Sequence, residues 1–254
     1  EKNLDAIGET AAAQDADLML LQEVDFDSDR SYHVDEALAL RTFEDLDAWT
    51  DSVFAVNYHS AYLFYPITQP HGASKSGLLT MSKLGIRSAV RRSLPVETGV
   101  TKILDLDRCY SISRVPTDNG KELVIFLLHM SAYGNSDAIR EGQIRMLSQD
   151  MQKEYEAGNY VLCGGDFNHD LKASNDDNDD AADYESWAYP FPREELPEHL
   201  SFCIDQLSDT ERNALWNSAR NADMEYIPGE TYTVTLDGFI FSDNIECLQY
   251  ENVN

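Results

Sequence analysis

No run of apolar residues in this sequence approaches the roughly 20 that a membrane-spanning helix needs, and the opening residues, Glu1 to Asp5, lack the basic character of a secretory leader. The chain reads as soluble, with localisation left open because it begins inside a helical pattern and not at a Met. Basic residues are scarce as well: 19 Lys and Arg face 46 Asp and Glu, for a formal net charge of -27. Non-specific nucleic-acid binding runs on Lys and Arg displacing counterions, so this balance argues against a general nucleic-acid coat protein and leaves a small or locally gripped phosphate open. The four cysteines, Cys109, Cys163, Cys203 and Cys247, contain no Cys-x-x-Cys pair, which removes zinc-finger and thioredoxin readings and leaves them as small core residues. A Ser nucleophile elbow, a Walker loop and a dinucleotide fingerprint are absent too. Hydrolysis by activated water is then the economical class.

What is present fits one domain over residues 1–254, at 43% hydrophobic and with strands and helices interleaved from end to end. Leu4, Ile7 and Ala11 at helical spacing lead into the apolar run Leu18–Leu21, and Val34, Leu38, Leu46 and Trp49 mark a second amphipathic helix. Short β-like runs follow over 53–65, 77–82, 86–91, 100–106 and 109–115. Asp118-Asn-Gly-Lys121 then predicts a hairpin into Leu123–His129. A helix starting at Ser136 and Asp137 and stopped by Gly158 precedes the strand Tyr160–Cys163. After a proline-rich loop region, a helix over 210–222 and strands over 232–241 and 245–250 complete the pattern. The acidic tract Ser174–Asp183 mimics half an EF-hand, but Ala181 and Trp187 stand where glycine and a bidentate Glu are required, so it reads as a solvated loop or lid. From Ser52 to Val96 there is no Asp or Glu, whereas Lys75, Lys83, Arg87, Arg91 and Arg92 all fall there. That island is either a phosphate-facing surface or the basic solvent face of two strands.

The sharpest local feature is Val161-Leu-Cys-Gly-Gly-Asp-Phe-Asn168, an apolar strand that ends in two glycines and then presents a carboxylate and an amide two positions apart. Alone, such a pair is most often an Asx turn. Three other strand ends deliver polar groups of the same kind. Gln22-Glu23 follows Leu18–Leu21, and Glu23 is a hard-oxygen ligand suited to magnesium. His129 ends the Leu123–Leu128 run. Asp237 sits between Thr233–Leu236 and Gly238–Phe241, where a charge needs a partner. Ligand sites in α/β proteins favour such strand ends.

In that order, Leu20-Leu-Gln-Glu-Val24, His129, Gly164-Gly-Asp-Phe-Asn168 and Leu236-Asp-Gly238 resemble the endonuclease/exonuclease/phosphatase superfamily, over essentially the whole chain; 132–143 with the Gly-Gly-Asp-Phe-Asn run is similar to its bacterial hydrolases. The resemblance implies an α/β four-layer sandwich of two mixed β-sheets flanked by helices. It makes Glu23 the principal metal ligand, for Mg²⁺ or Mn²⁺, and makes Asp166 and Asn168 the pair that orients or deprotonates water. His129 would stabilise phosphoryl oxygens, and Asp237 would hold a catalytic histidine in its tautomer. Lys75, Ser76 and Arg30 are the candidate substrate-binding residues. The superfamily's first strand, with its metal-proximal Asn, and its terminal Ser-Asp-His are not matched, so the resemblance implies that the sequence lacks both ends. The expected substrate is a small-molecule or lipid-headgroup phosphate, with nucleic acid disfavoured by the net charge. An endonuclease and a non-catalytic binding module on the same fold are the alternatives.

Overall fold

The computed structural model describes residues 2–63, 72–96, 107–131, 137–173, 188–221 and 225–252. The strand expected over 100–106, the acidic tract Ser174–Asp183 and residues 132–136 lie outside them. The chain forms two compact units, Glu1–His129 and Met130–Asn254.

In the first unit, helix α1 (Lys2–Ala13) leads into strand β1 (Leu18–Asp25), then helix α2 (Glu36–Arg41), β2 (Asp51–Leu63) and β3 (Gly72–Ser82). These three strands make an antiparallel sheet with β3 in the middle. Side chains alternate across a strand, so neighbours on β3 serve opposite faces. Leu79 and Met81 pack with Met19, Val24, Leu40, Leu46 and Trp49 under the helices. Leu78 packs with Ala55, Cys109 and Leu127 on the other side. Cys109 and Leu127 belong to a second antiparallel group, β4 (Ser88–Ser93), β5 (Cys109–Pro116) and β6 (Glu122–His129). Asn57 ties the two layers together, its Oδ1 accepting the Cys109 N–H at 2.9 Å. The Asn-Gly hairpin closes β5 onto β6 with Gly120 at φ 80°.

Two helical expectations are corrected here. Ile7 is 50% exposed, and α1 packs through Leu4 and Ala11 instead. The second helix spans only Glu36–Arg41, because the Asp35 side chain caps Leu38 N–H at 2.8 Å and fixes a phase that turns Ala37 and Leu40 inward and leaves Leu38 outside.

In the second unit, α3 (Asp137–Glu156) buries Ile144, Leu147 and Met151. It ends in a Schellman turn, with Gly158 at φ 80° and its N–H donated to Tyr155 O at 2.8 Å. Strand β7 (Tyr160–Asp166) follows, then β8 (Leu200–Phe202), helix α4 (Asp209–Ala214), the short strands β9 (Ala219–Arg220) and β10 (Thr233–Val234), and β11 (Asp237–Ser242). β11 lies antiparallel between β7 and β8, while β9 and β10 pair separately. Phe167, Phe191 and Phe202 meet edge to face behind β7, with ring centroids 4.9 to 5.8 Å apart.

The expected helix over 210–222 stops at Ala214, because Leu215 is extended and Lys172 Nζ takes both Leu215 O and Asn217 Oδ1. The single strand expected over 232–241 is two strands in different sheets. Between them, Ser218 Oγ accepts the N–H groups of Leu236 and Asp237 and diverts the chain. Asp237 is therefore the first residue of a strand and not a charge inside one. Residues 245–250 form no strand.

Candidate active site

In the first unit the chemistry gathers where β1 leaves its sheet. The pairing of β1 with β3 slips between Leu21 and Val24, and within that bulge Glu23 takes φ 54°, a left-handed conformation that is costly for a residue with a Cβ. Such strain persists where the surroundings impose it and is common at functional sites. Gly77, the partner of Val24 on β3, lets β2 pack close on its other side: a Cβ there would lie 2.4 Å from the Phe54 ring and 2.7 Å from Ala55 O. The Glu23 side chain is 55% exposed, with Arg30 Nη1 3.8 Å from its carboxylate.

Arg30 itself is a fork on Asp25, at 2.8 and 2.9 Å, and its guanidinium lies 5.8 Å from the Tyr58 ring. The hydrogen bonds to the Asp25 carboxylate raise the pKa of Arg30 further above its ordinary value. Glu36 accepts the Asp25 N–H at 2.9 Å, and burial pushes its own carboxyl upward. Glu23, Asp25, Arg30 and Glu36 line a cavity of about 820 Å³. Ser76, opposite Asp25 in the sheet, is fully buried. It supports the wall and does not meet solvent.

Three of the island's five basic residues are answered by acids from elsewhere in the chain. Lys75 Nζ is 2.7 Å from Asp27, Lys83 pairs with Asp15, Arg87 pairs with Glu122, and Arg91 donates to Val56 O and Ser93. Lys75, a candidate substrate-binding residue, is in this way paired with Asp27.

His129 is 4% exposed at the end of β6, in register with Cys109. Burial first, then the charges of Arg108 and Arg30, hold its pKa well below 6.5. It is a neutral imidazole at pH 7, a hydrogen-bond donor and not a cation. A histidine with a depressed folded pKa gives stability that is present above the unfolded value and is lost as pH falls through the folded one. The unfolding free energy is therefore expected to drop below pH 6.5, by up to about 1.4 kcal/mol per pH unit from this residue. Urea titrations should show a shallower drop in His129→Asn; an identical slope would refute the assignment.

In the second unit, β7 delivers Asp166 directly opposite Asp237 of β11, with Gly165 opposite Gly238. Opposed residues of an antiparallel pair project to the same side with Cβ atoms roughly 5 Å apart, so two carboxylates share one face. A Cβ at Gly238 would lie 2.6 Å from Leu171 Cδ1, so that side chain would have to shift. Asp166 Oδ1 accepts the Asn168 N–H at 2.8 Å, the Asx turn foreseen as the simple reading. Asn168 adopts φ 51°, and its Nδ2 donates to Met130 O at 2.8 Å, while Met130 N–H donates to Asp166 O at 3.0 Å. The amide is thus fixed in orientation beside the carboxylate. Phe167 between them is fully buried in the aromatic cluster, which anchors the turn.

Sequence reasoning missed His169, which is buried with Nδ1 2.6 Å from Phe167 O and a pKa lowered by burial. It also missed Asp25 and Glu36, which pair with Arg30 and with the Asp25 N–H, five and eleven residues away in sequence.

Among the described residues, no three His, Cys, Asp or Glu side chains converge as a ligand group. A hard divalent ion takes one or two protein carboxylates and completes its shell with water and phosphate oxygen. Glu23 is an exposed carboxylate on the bulge that could hold such an ion, whereas Asp25 is engaged by Arg30.

Solved structures share the fold. An endonuclease/exonuclease/phosphatase from Beutenbergia cavernae is 17% identical with a TM-score of 0.66, over 94% of this chain and 58% of its own. D. rerio TDP2 complexed with single strand DNA product is 14% identical with a TM-score of 0.59, over 94% and 76%. A Bacteroides thetaiotaomicron mannosyl-6-phosphatase is 16% identical with a TM-score of 0.55, over 95% and 76%. The chain therefore spans 58% of the length of the first of these. No curated protein matches it. The likeness bears out the expected α/β class of sheets flanked by helices. The family model named Endonuclease/Exonuclease/phosphatase family matches residues 1–222, which takes in Glu23, His129, Asp166 and Asn168 and stops short of Asp237. The chain belongs to that family.

Proposed function

We propose that the chain hydrolyses a phosphate ester of a small molecule or lipid headgroup by in-line attack of water, with magnesium or manganese as its cation. The observation that carries this reading is the locked pair on β7: Asp166 opposite Asp237, with Asn168 held by Met130 O. Asp166 orients the attacking water and draws off its proton. Asn168, with its amide plane fixed, has donor and acceptor capacity left for that water or for a phosphoryl oxygen. His129, neutral, donates a hydrogen bond to developing oxyanion charge without itself titrating near pH 7. Glu23 would hold the cation. When bound, that ion neutralises charge on the phosphoryl oxygens.

The test uses a chromogenic phosphodiester and the corresponding monoester. Turnover is expected with Mg²⁺ or Mn²⁺, to fall by about 10²-fold or more in excess chelator, and to return on adding the metal. Glu23→Gln should raise the Mg²⁺ concentration giving half-maximal rate by about 10-fold or more. Turnover that is indifferent to chelator, or a Glu23→Gln variant with unaltered metal dependence, would overturn the reading.

A further inference from the structure

Between β1 and α2 the chain takes a left-handed backbone twice in succession, at Tyr32 with φ 55° and at His33 with φ 60°. That region is sterically costly for any residue with a Cβ, and it persists only where the surroundings impose it. Here they do so through β3. Ser28, fully buried, donates its hydroxyl to Lys75 O at 3.0 Å and accepts the Lys75 N–H at 2.8 Å. Asp29 Oδ2 accepts the Ala73 N–H at 2.6 Å, a second tie to the same strand. His33 N–H donates to Ser28 O at 2.9 Å, and Tyr32 N–H to Asp29 O at 3.1 Å. The His33 ring stands between two carboxylates, with Nδ1 2.8 Å from Asp27 and Nε2 3.3 Å from Asp29.

What this backbone holds in place is the Tyr32 side chain. The residue is 89% exposed, so burial of its ring does not offset the cost of the turn. It lines the cavity of about 820 Å³ that Glu23 and Arg30 also line. A tyrosine presents a large, stiff, amphipathic ring, and one fixed by its backbone before a ligand arrives loses little freedom when a ligand packs against it. Stability given up at a position that packs nothing, on the wall of a candidate site, is the pattern expected of a residue kept for binding.

We propose that Tyr32 is a specificity-determining residue of the hydrolytic site: its ring packs against the ester group that stays on the phosphorus, and so favours a bulky apolar group there over a small one. The proposal rests on the hydrolase reading and adds to it a residue and a direction of preference. One such contact with an aromatic group is worth a factor of about 3 to 10 in affinity.

The test compares bis(4-nitrophenyl) phosphate with methyl 4-nitrophenyl phosphate, which has the same leaving group and differs in the group retained. The parent is expected to show a KM about 3- to 10-fold lower for the larger ester. Tyr32→Gly should remove most of that difference and leave kcat on the methyl ester within about 2-fold, and Tyr32→Phe should keep it. Because glycine accepts the left-handed backbone freely, the melting temperature of Tyr32→Gly should hold level or rise by up to about 4 °C. A ring that served the fold would instead give a lower melting temperature and an unchanged KM ratio. Tyr32→Asn, which also tolerates that backbone, is the second variant, so that a loop loosened by glycine does not decide the matter alone. Equal KM values in the parent, or a KM ratio that survives both Tyr32→Gly and Tyr32→Asn, overturns the proposal. Failure of the hydrolase reading is a different result: neither ester is turned over by the parent with Mg²⁺ or Mn²⁺, and the proposal falls with it.

Discussion

Asp166→Ala is expected to lose about 10³-fold or more in kcat on a chromogenic phosphodiester, equivalent to roughly 4 kcal/mol of transition-state stabilisation. Loss of rate alone would not separate chemistry from structure, because Asp166 also closes the Asx turn that sets Asn168 at φ 51°. Asp166→Asn makes the separation. An amide oxygen accepts the Asn168 N–H as a carboxylate does, so the turn and the Asn168–Met130 bond are retained, but an amide cannot take a proton from water. If Asp166 is the general base, Asn at this position is nearly as inactive as Ala, with an unchanged melting temperature. If it merely shapes the turn, Asn restores most of the rate. A second consequence concerns pH: the rate should fall toward low pH as a carboxylate is protonated, and His129, already neutral near pH 7, should not impose a further step there.

The β-rich stretches and the strand-end residues were legible in the sequence because their signals are local. The hairpin at Asn119-Gly120, the stop at Gly158 and the glycine-ended strand before Asp166 each follow from a few consecutive residues, and each is found in place. What was not legible depends on partners far along the chain. Lys75 and Asp27 are 48 residues apart, Lys83 and Asp15 are 68, and Arg87 and Glu122 are 35, so three basic residues of the island in the sequence are ion-paired in the fold. Asp237 appeared to lie within one long strand, because its apolar neighbours on both sides continue the pattern. The break is imposed by Ser218, 19 residues earlier, whose hydroxyl captures two backbone N–H groups. The left-handed backbone at Glu23 was equally invisible, since it goes with a register slip against β3. Arg30, named as a substrate-binding candidate, has its guanidinium held by Asp25, five residues earlier, a pairing that the sequence alone did not show.

That last difference leads to the second large effect. Arg30→Met should destabilise the protein by about 3 to 5 kcal/mol, because it leaves the Asp25 carboxylate, 4% exposed, without the guanidinium that holds both of its oxygens. The same logic predicts a recovery. In the double variant Asp25→Leu/Arg30→Met no charge is stranded, and an apolar pair of similar volume is often neutral or better than the buried ion pair it replaces, so stability should return to within about 1 kcal/mol of the parent. Chemical denaturation of the four proteins gives the coupling free energy as a double-mutant cycle. A substrate-binding arginine predicts a different pattern: Arg30→Met would raise KM while leaving the denaturation midpoint near that of the parent, and Asp25→Leu would then add nothing back. A loss below about 1 kcal/mol in the single variant would reject the structural role and return Arg30 to the substrate. The two roles are not exclusive at the level of position, since the guanidinium also stands 3.8 Å from Glu23. Restored stability without restored turnover in the double variant is thus the expected signature: the fork on Asp25 holds the wall, and the same guanidinium stands beside the Glu23 carboxylate.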